Sequence, residues 1–450
     1  MRRAVWCALI AVGLVLAGLQ GTVAAGPPGR DGEPDRTPKV RPRGRLVTAG
    51  AASRSVLPTV DGARDYLDAG LPSDDDAVSP GVFVPEWDDG RIAVGNGDDV
   101  SHWVHDDLRV RALALDGQGP DRGSPVVLLS SDLYMIFRAD ADEIRAKVEQ
   151  RLPPEWKGKV EVIVTATHNH HGPDTAFDVN HDWYDHMTDQ AADAAVESIL
   201  EMEPARLRVA SGEHHFSLQD GTDPQVIDPR MNVLQAVRTN GRVIGTVVQW
   251  NSHPETTLGW EPPVDLSEEC AVLGWTGDEC TADGRYFTAD YPGVLARTIE
   301  REAGGEVLYF VGALGHLVGP LGAEVWEVDA DHPVGNGFTV PDGAAVPGGP
   351  SFTYTDRNFR RAVVIGEQAA EQVLRLIEDG EWIEEPSVSW DEAWFYSRLS
   401  NIGFRFLLVP DPDTGRTSLG HNVPEGYTCP ATGPKTDATR SWARSWPQTT

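Results

Sequence analysis

The chain has 450 residues, 40 % of them hydrophobic, and its 38 Lys and Arg against 69 Asp and Glu give a net charge of −31. Such a composition suits one large or two medium globular domains and excludes wholesale disorder or a disulfide-dense miniature scaffold. The acidic excess leaves no electrostatic footprint for a nucleic-acid partner and repels an anionic membrane surface.

At the start, Arg2 and Arg3 precede an apolar run from Ala4 to Leu19, and the small residues Val23-Ala24-Ala25 follow. This predicts a signal peptide over residues 1–25 and a secreted protein with no stable membrane span after cleavage, because the run is short for a permanent spanning helix. Loss of Arg2 and Arg3 would take the charge from −31 to −33. Residues 26–46 are Pro-rich and poor in apolar side chains, which predicts a disordered leader. A single large catalytic domain is expected over 47–380. Residues 381–450 read as a C-terminal segment, partly irregular or cut short, with strand-like pieces at Pro386–Tyr396 and Phe404–Val409.

Within the domain, Arg109–Asp116 and Pro125–Asp132 read as strands, and Arg138–Leu152 as a helix with Ile144, Val148 and Leu152 on one face. Lys159–His168 is a Val- and Ile-rich strand, and Trp183–Met202 a second amphipathic helix. Asn232–Val237 and Val243–Trp250 flank Asn240-Gly241, a strong hairpin signal. Pro292–Glu302 reads as a helix, Val307–Val311 as a strand and Arg357–Ile377 as a long helix. The alternation predicts an α/β fold with a mixed, mostly parallel sheet flanked by helices. Cys270 and Cys280 stand ten residues apart, and an oxidising compartment favours bridging them; a zinc pair would lack C-x-x-C spacing. Cys429 is left odd.

Three of the thirteen His fall between positions 168 and 171, in Thr167-His168-Asn169-His170-His171-Gly172-Pro173. They follow a strand, and α/β sheets gather ligand sites at the carboxyl ends of strands. In extended chain His168 and His170 share a face and can approach one ion. A solvated His-rich loop is the plainer alternative. His253, in Asn251-Ser252-His253-Pro254-Glu255, again follows an apolar strand; it is either a second ligand or a satisfied structural His. His316, in Gly315-His316-Leu317-Val318, is a third candidate for the same pocket, and Asp290 stands where it could cap the next helix.

Together these residues resemble the neutral/alkaline, non-lysosomal ceramidase family in its zinc-dependent amidase domain. Thr165-Ala166-Thr167-His168-Asn169-His170-His171-Gly172-Pro173 resembles its A-T-H-T-H-S-G-P motif, and Ser131-Asp132-Leu133-Tyr134-Met135-Ile136-Phe137 its T-D-L-x-M-I-F segment. His253 stands at the family's H-P-T strand end, and Asp290-Tyr291-Pro292-Gly293 resembles a D-[FY]-P-G. The likeness runs from about Val47 to Leu376. It implies a Zn2+ site in which two His, a Glu and a Tyr hold the metal and an activated water attacks an amide carbonyl. His168 and His253 would be the two His ligands, with His170 beside them donating to the oxyanion or the leaving amine.

Two departures stand out. Leu314-Gly315-His316-Leu317-Val318-Gly319-Pro320 replaces A-G-N-x-S-P, so the Ser is absent, and His316 joins His170 as a catalytic candidate. The Glu and Tyr ligands have no matching motif before Thr450; Glu425 and Tyr427 are the nearest residues of those types, in different surroundings, and take no role. The expectation is a secreted zinc-dependent hydrolase cleaving an amide bond of ceramide or a related N-acyl lipid. The alternatives are a catalytically degenerate relative acting as a binding protein, or a metallo-β-lactamase-like hydrolase. The last wants H-x-H-x-D-H, whereas Asp174 comes four after His170 with no His following.

Overall fold

The computed structural model describes residues 45–69, 71, 78–95, 99–117, 122–315, 323–334 and 358–391. Strands β1 (Val47–Ser55), β4 (Arg109–Asp116), β5 (Val126–Ser131), β6 (Glu161–Ala166), β7 (Glu203–Glu213), β8 (Arg230–Arg238), β9 (Val243–Trp250), β11 (Glu306–Val311) and β12 (Glu381–Trp382) form one sheet. Its order is β11-β9-β8-β7-β1-β4-β5-β6, with β12 paired to β7. A small second sheet joins β10 (Tyr286–Phe287), β3 (Trp103–Val104) and β2 (Val82–Phe83). The helices are α1 (Arg138–Arg151), α2 (His181–Leu200), α3 (Ser267–Leu273), α4 (Asp290–Ala303) and α5 (Phe359–Glu378).

The long sheet folds over on itself. Period-two alternation sends Val110, Ala112 and Ala114 of β4 to one core and Leu113 and Leu115 to another. In β11, Val307 and Tyr309 likewise face one core and Leu308 another. The shared inner core of Leu113, Leu115, Ile244 and Leu308 lies between the two halves of the sheet. Helices α1 and α2 cover the outer face of the β1-β4-β5-β6 half, and α4 and α5 that of the β8-β9-β11 half. The result is four layers, helix–sheet–sheet–helix. Ser130 Oγ of β5 donates to the Tyr309 carbonyl of β11 at 2.6 Å, so strands far apart in sheet order touch.

The expected mixed α/β class therefore stands, with a different balance of directions. Among the described residues, only β5/β6 and β9/β11 of the large sheet run parallel, and the remaining ladders are antiparallel. A parallel neighbour needs a crossover connection, and α1 lies in that of β5/β6 and α4 in that of β9/β11. The Asn240-Gly241 hairpin forms as expected, with Gly241 at φ +90° donating to the Arg238 carbonyl at 2.9 Å.

Two long strands, β1 and β7, were not expected, nor were the two-residue strands β2, β3, β10 and β12. β1 (VTAGAASRS) lacks a strand's usual bulk because α2 lies directly on it; a Cβ at Gly50 would run into the Ser198 carbonyl and the Met202 amide. Only two residues separate the end of α2 at Leu200 from the start of β7 at Glu203, and the expected helix Trp183–Met202 overruns that junction. Cys270 and Cys280 are bridged, with Cα atoms 5.5 Å apart. Among the described residues no helix is long and apolar enough to cross a membrane. The signal segment, residues 26–44 of the leader, Phe404–Val409, Glu425, Tyr427 and Cys429 lie outside the described residues, as do 392–396 of the expected strand Pro386–Tyr396, whose described part is not a strand.

Candidate metal centre

The two parallel strand pairs end at the same place. Strand β6 stops at Ala166, and the chain then leaves the sheet while Thr167 N donates to the Ser131 carbonyl at 2.8 Å. His168 takes a left-handed φ of +67°, which costs a residue with a Cβ about 1–2 kcal/mol. The expected extended run from 168 to 170 is thus replaced by a turn, and it is the turn that swings both rings inward. Asn169 locks it: its Nδ2 donates to the Asp132 carbonyl at 3.2 Å, and its Oδ1 accepts His171 N at 2.8 Å. His171 goes elsewhere, stacked on Tyr286 with centroids 4.7 Å apart.

From the other half, β9 ends at Trp250 and presents His253. The ring centroids of His168, His170 and His253 form a triangle with sides of 4.7, 4.9 and 4.9 Å. One ring nitrogen from each lies within 4.8 Å of the others, close enough to hold one metal ion. The expected pair of His168 and His253 is brought together, with His170 completing the triangle. His316 lies outside the described residues.

Hydrogen bonds set the tautomers. His168 Nδ1 donates to the Tyr134 carbonyl at 2.9 Å, and His253 Nδ1 to the Gly315 carbonyl at 3.2 Å. Each bond leaves Nε2 as the ring's lone-pair nitrogen, the arrangement by which backbone carbonyls orient imidazole ligands. His170 Nε2 lies 2.8 Å from His253 Nε2, so His170 is the donor of that pair. Its Nδ1 is buried with no partner among the described residues. Burial pushes all three imidazoles below their ordinary pKa, and the neighbouring rings push His170 and His253 further, to about 2 and about 4. At neutral pH the rings are uncharged, as metal ligands must be. The donor set and its tautomers therefore fit a divalent ion that accepts nitrogen.

Two neighbours carried no role in the sequence reading. The Tyr134 ring, at the end of β5, stacks on His168 with centroids 4.9 Å apart and meets His170 edge-on at 4.7 Å. Glu255, 4 % exposed, places Oε1 3.6 Å from His253 Nδ1 and Oε2 3.9 Å from His170 Nε2. The available signal was position: Tyr134 sits three residues past the end of β5 and Glu255 five past the end of β9. Asp290 does not cap α4, whose N-cap position belongs to Ala289. Its buried carboxylate accepts Thr256 N at 2.7 Å and Thr256 Oγ1 at 2.5 Å, and burial raises its pKa to about 6. Asp174 is likewise occupied, accepting the backbone N–H groups of Ala176, Phe177 and Asp178.

No model of a known protein family matches the chain, and no curated protein matches it significantly. Among solved structures, the chain is similar to neutral ceramidase from Pseudomonas aeruginosa, with 15 % identity and a TM-score of 0.49 over 74 % of this chain and 45 % of that one. It is also similar to a ceramidase complexed with C2, with 15 % identity and a TM-score of 0.48 over 74 % of this chain and 44 % of that one. The chain thus spans less than half the length of the solved structures it matches.

Proposed function

We propose that the protein is a secreted zinc-dependent hydrolase that cleaves the amide bond of ceramide or a related N-acyl amide. The observation that carries the reading is the buried triangle of His168, His170 and His253, with two of its Nδ1 atoms tied to carbonyls. In this reading His168 and His253 hold the metal through Nε2. A zinc ion there would supply Lewis acidity toward a carbonyl oxygen and lower the pKa of a bound water. His170 has no carbonyl on Nδ1, and its Nε2–H points at the His253 lone pair that the metal would take. Released from that contact, the same N–H is placed to donate to the substrate oxygen or the leaving amine.

The substrate class rests on the resemblance of the segments around Tyr134 and His168 to ceramidase motifs. A half-exposed Phe177, its ring 6.4 Å from that of Tyr134, supports an apolar chain beside the site. Secretion is supported by the N-terminal pattern and the Cys270–Cys280 bridge. A lactamase-type site is disfavoured because Asp174 spends its oxygens on backbone N–H groups.

The test is zinc stoichiometry of the purified chain beside His253→Ala, followed by turnover of N-acyl amides, esters and β-lactams. About one zinc per chain, lost in the variant, with amides the preferred substrates, is the expected result. A folded wild-type chain without zinc would leave a binding protein in place of an enzyme.

A further inference from the structure

We infer that Asn251 is a positioning residue for His253: it clamps the exit of β11, which keeps the Gly315 carbonyl on His253 Nδ1 and so keeps Nε2 as the nitrogen for the metal. The inference rests on the zinc reading above and adds to it what holds one ligand in its tautomer.

The clamp begins where the β9/β11 ladder ends. The two strands pair as far as Trp250 and Val311, and Gly312 N still donates to the Trp250 carbonyl at 2.9 Å. Past that point the Asn251 side chain continues the ladder. Its Oδ1 accepts Ala313 N at 2.8 Å and Gln249 Nε2 at 3.0 Å, and its Nδ2 donates to the Asp228 carbonyl at 3.0 Å. Asn251 is buried, whereas Ala313 and Gly315 are exposed and bring the loop little packing of their own. Gly312 passes so close that an added Cβ would fall on Asn251 Oδ1 and Gln249 Nε2. Two residues after Ala313, the Gly315 carbonyl accepts His253 Nδ1 at 3.2 Å.

The other half of the sheet uses the same device. β5 and β6 are also a parallel pair; His168 follows β6, and its Nδ1 donates to the Tyr134 carbonyl from the exit of β5. There the neighbouring Asn169 joins the two exits through the Asp132 carbonyl. Each parallel pair thus supplies an imidazole from one strand, the carbonyl that orients it from the other, and an asparagine that ties the exits together. An imidazole released from its carbonyl is free to move its proton to the other nitrogen and to turn. Outer partners of this kind are worth about 10–100-fold in metal affinity.

The experiment measures zinc affinity of the full chain by competition with a chromophoric chelator, alongside the visible spectrum of the Co2+-loaded protein. Asn251→Ala is expected to weaken zinc by about 10–100-fold and to shift the Co2+ bands, with the far-UV circular dichroism of the metal-free chain unchanged. Asn251→Asp keeps an oxygen for the Ala313 N–H and is expected to bind zinc within about threefold of the wild type. Gly312→Ala pushes the loop off an intact Asn251 and covers the case in which Asn251→Ala misfolds; a loss of about 10-fold with moved Co2+ bands is expected. Wild-type affinity and an unchanged Co2+ spectrum in folded Asn251→Ala or Gly312→Ala would overturn the inference while leaving the two-His site standing. Equal losses in Asn251→Ala and Asn251→Asp would overturn it as well. A folded wild-type chain that takes up neither metal would overturn the zinc reading, and this inference with it.

Discussion

At the residue scale, the division of labour proposed for the three His rests on what each Nδ1 touches. His168→Ala and His253→Ala are each expected to abolish zinc binding, seen as loss of metal by elemental analysis with the fold retained. His170→Ala should keep zinc within a few-fold and lower kcat by about 10²–10³, the usual scale for a lost oxyanion donor. Equal loss of metal in all three variants would instead make His170 a ligand. These positions were legible in the sequence because His residues just past apolar strands are conspicuous. The burial of the Glu255 carboxylate beside them was not, because acidic residues are common in turns and nothing in H-P-E announces it. The inward direction of His168 was hidden as well, since a left-handed backbone at a His leaves no mark in the sequence.

At the scale of elements, packing of helix on helix decides what the outer layers tolerate. Gly366 of α5 crosses α4 so closely that an added Cβ would lie 2.6 Å from Val294 Cβ and 2.8 Å from the Tyr291 carbonyl. Gly366→Ala would gain up to about 1 kcal/mol of helix propensity, whereas overpacking costs roughly 1–3 kcal/mol. Net destabilisation is expected, read as a lower urea midpoint with an unchanged slope. Strands rich in Val and Ile, and helices with a clear apolar stripe, were readable to within a few residues. β9 matched its expected span, and α1 ended one residue early. β1 escaped because its small side chains answer to α2 lying on them, a tertiary demand that no local pattern expresses. The excess of antiparallel pairing escaped for a related reason: strand order depends on which loops cross the sheet, and the sequence shows only that helices and strands alternate.

At the scale of the whole molecule, acid should loosen the fold. His214 is buried beside Trp250, and burial first, then Arg375 and His215, lower its pKa to about 3. The unfolded chain takes up a proton near its ordinary pKa of about 6.5, well before the folded chain does, so stability is full above that value and falls as pH drops toward 3. This one group should cost about 2 kcal/mol between pH 7 and pH 5. His214→Gln should flatten that part of a stability-against-pH curve measured by urea denaturation, and an unchanged curve would refute the assignment.

The folded-over sheet also sets when the metal site comes into being. His170 and His253 are 83 residues apart, and they meet only where the end of β6 comes against the end of β9, strands from opposite halves of the sheet. On the proposed reading, a chain still assembling its halves would have no place to put the ion, and zinc would not act as a nucleus. Its stabilisation is then expected after the barrier has been crossed. Excess zinc should leave the refolding rate unchanged and slow unfolding, which makes the ion a latch on the finished molecule.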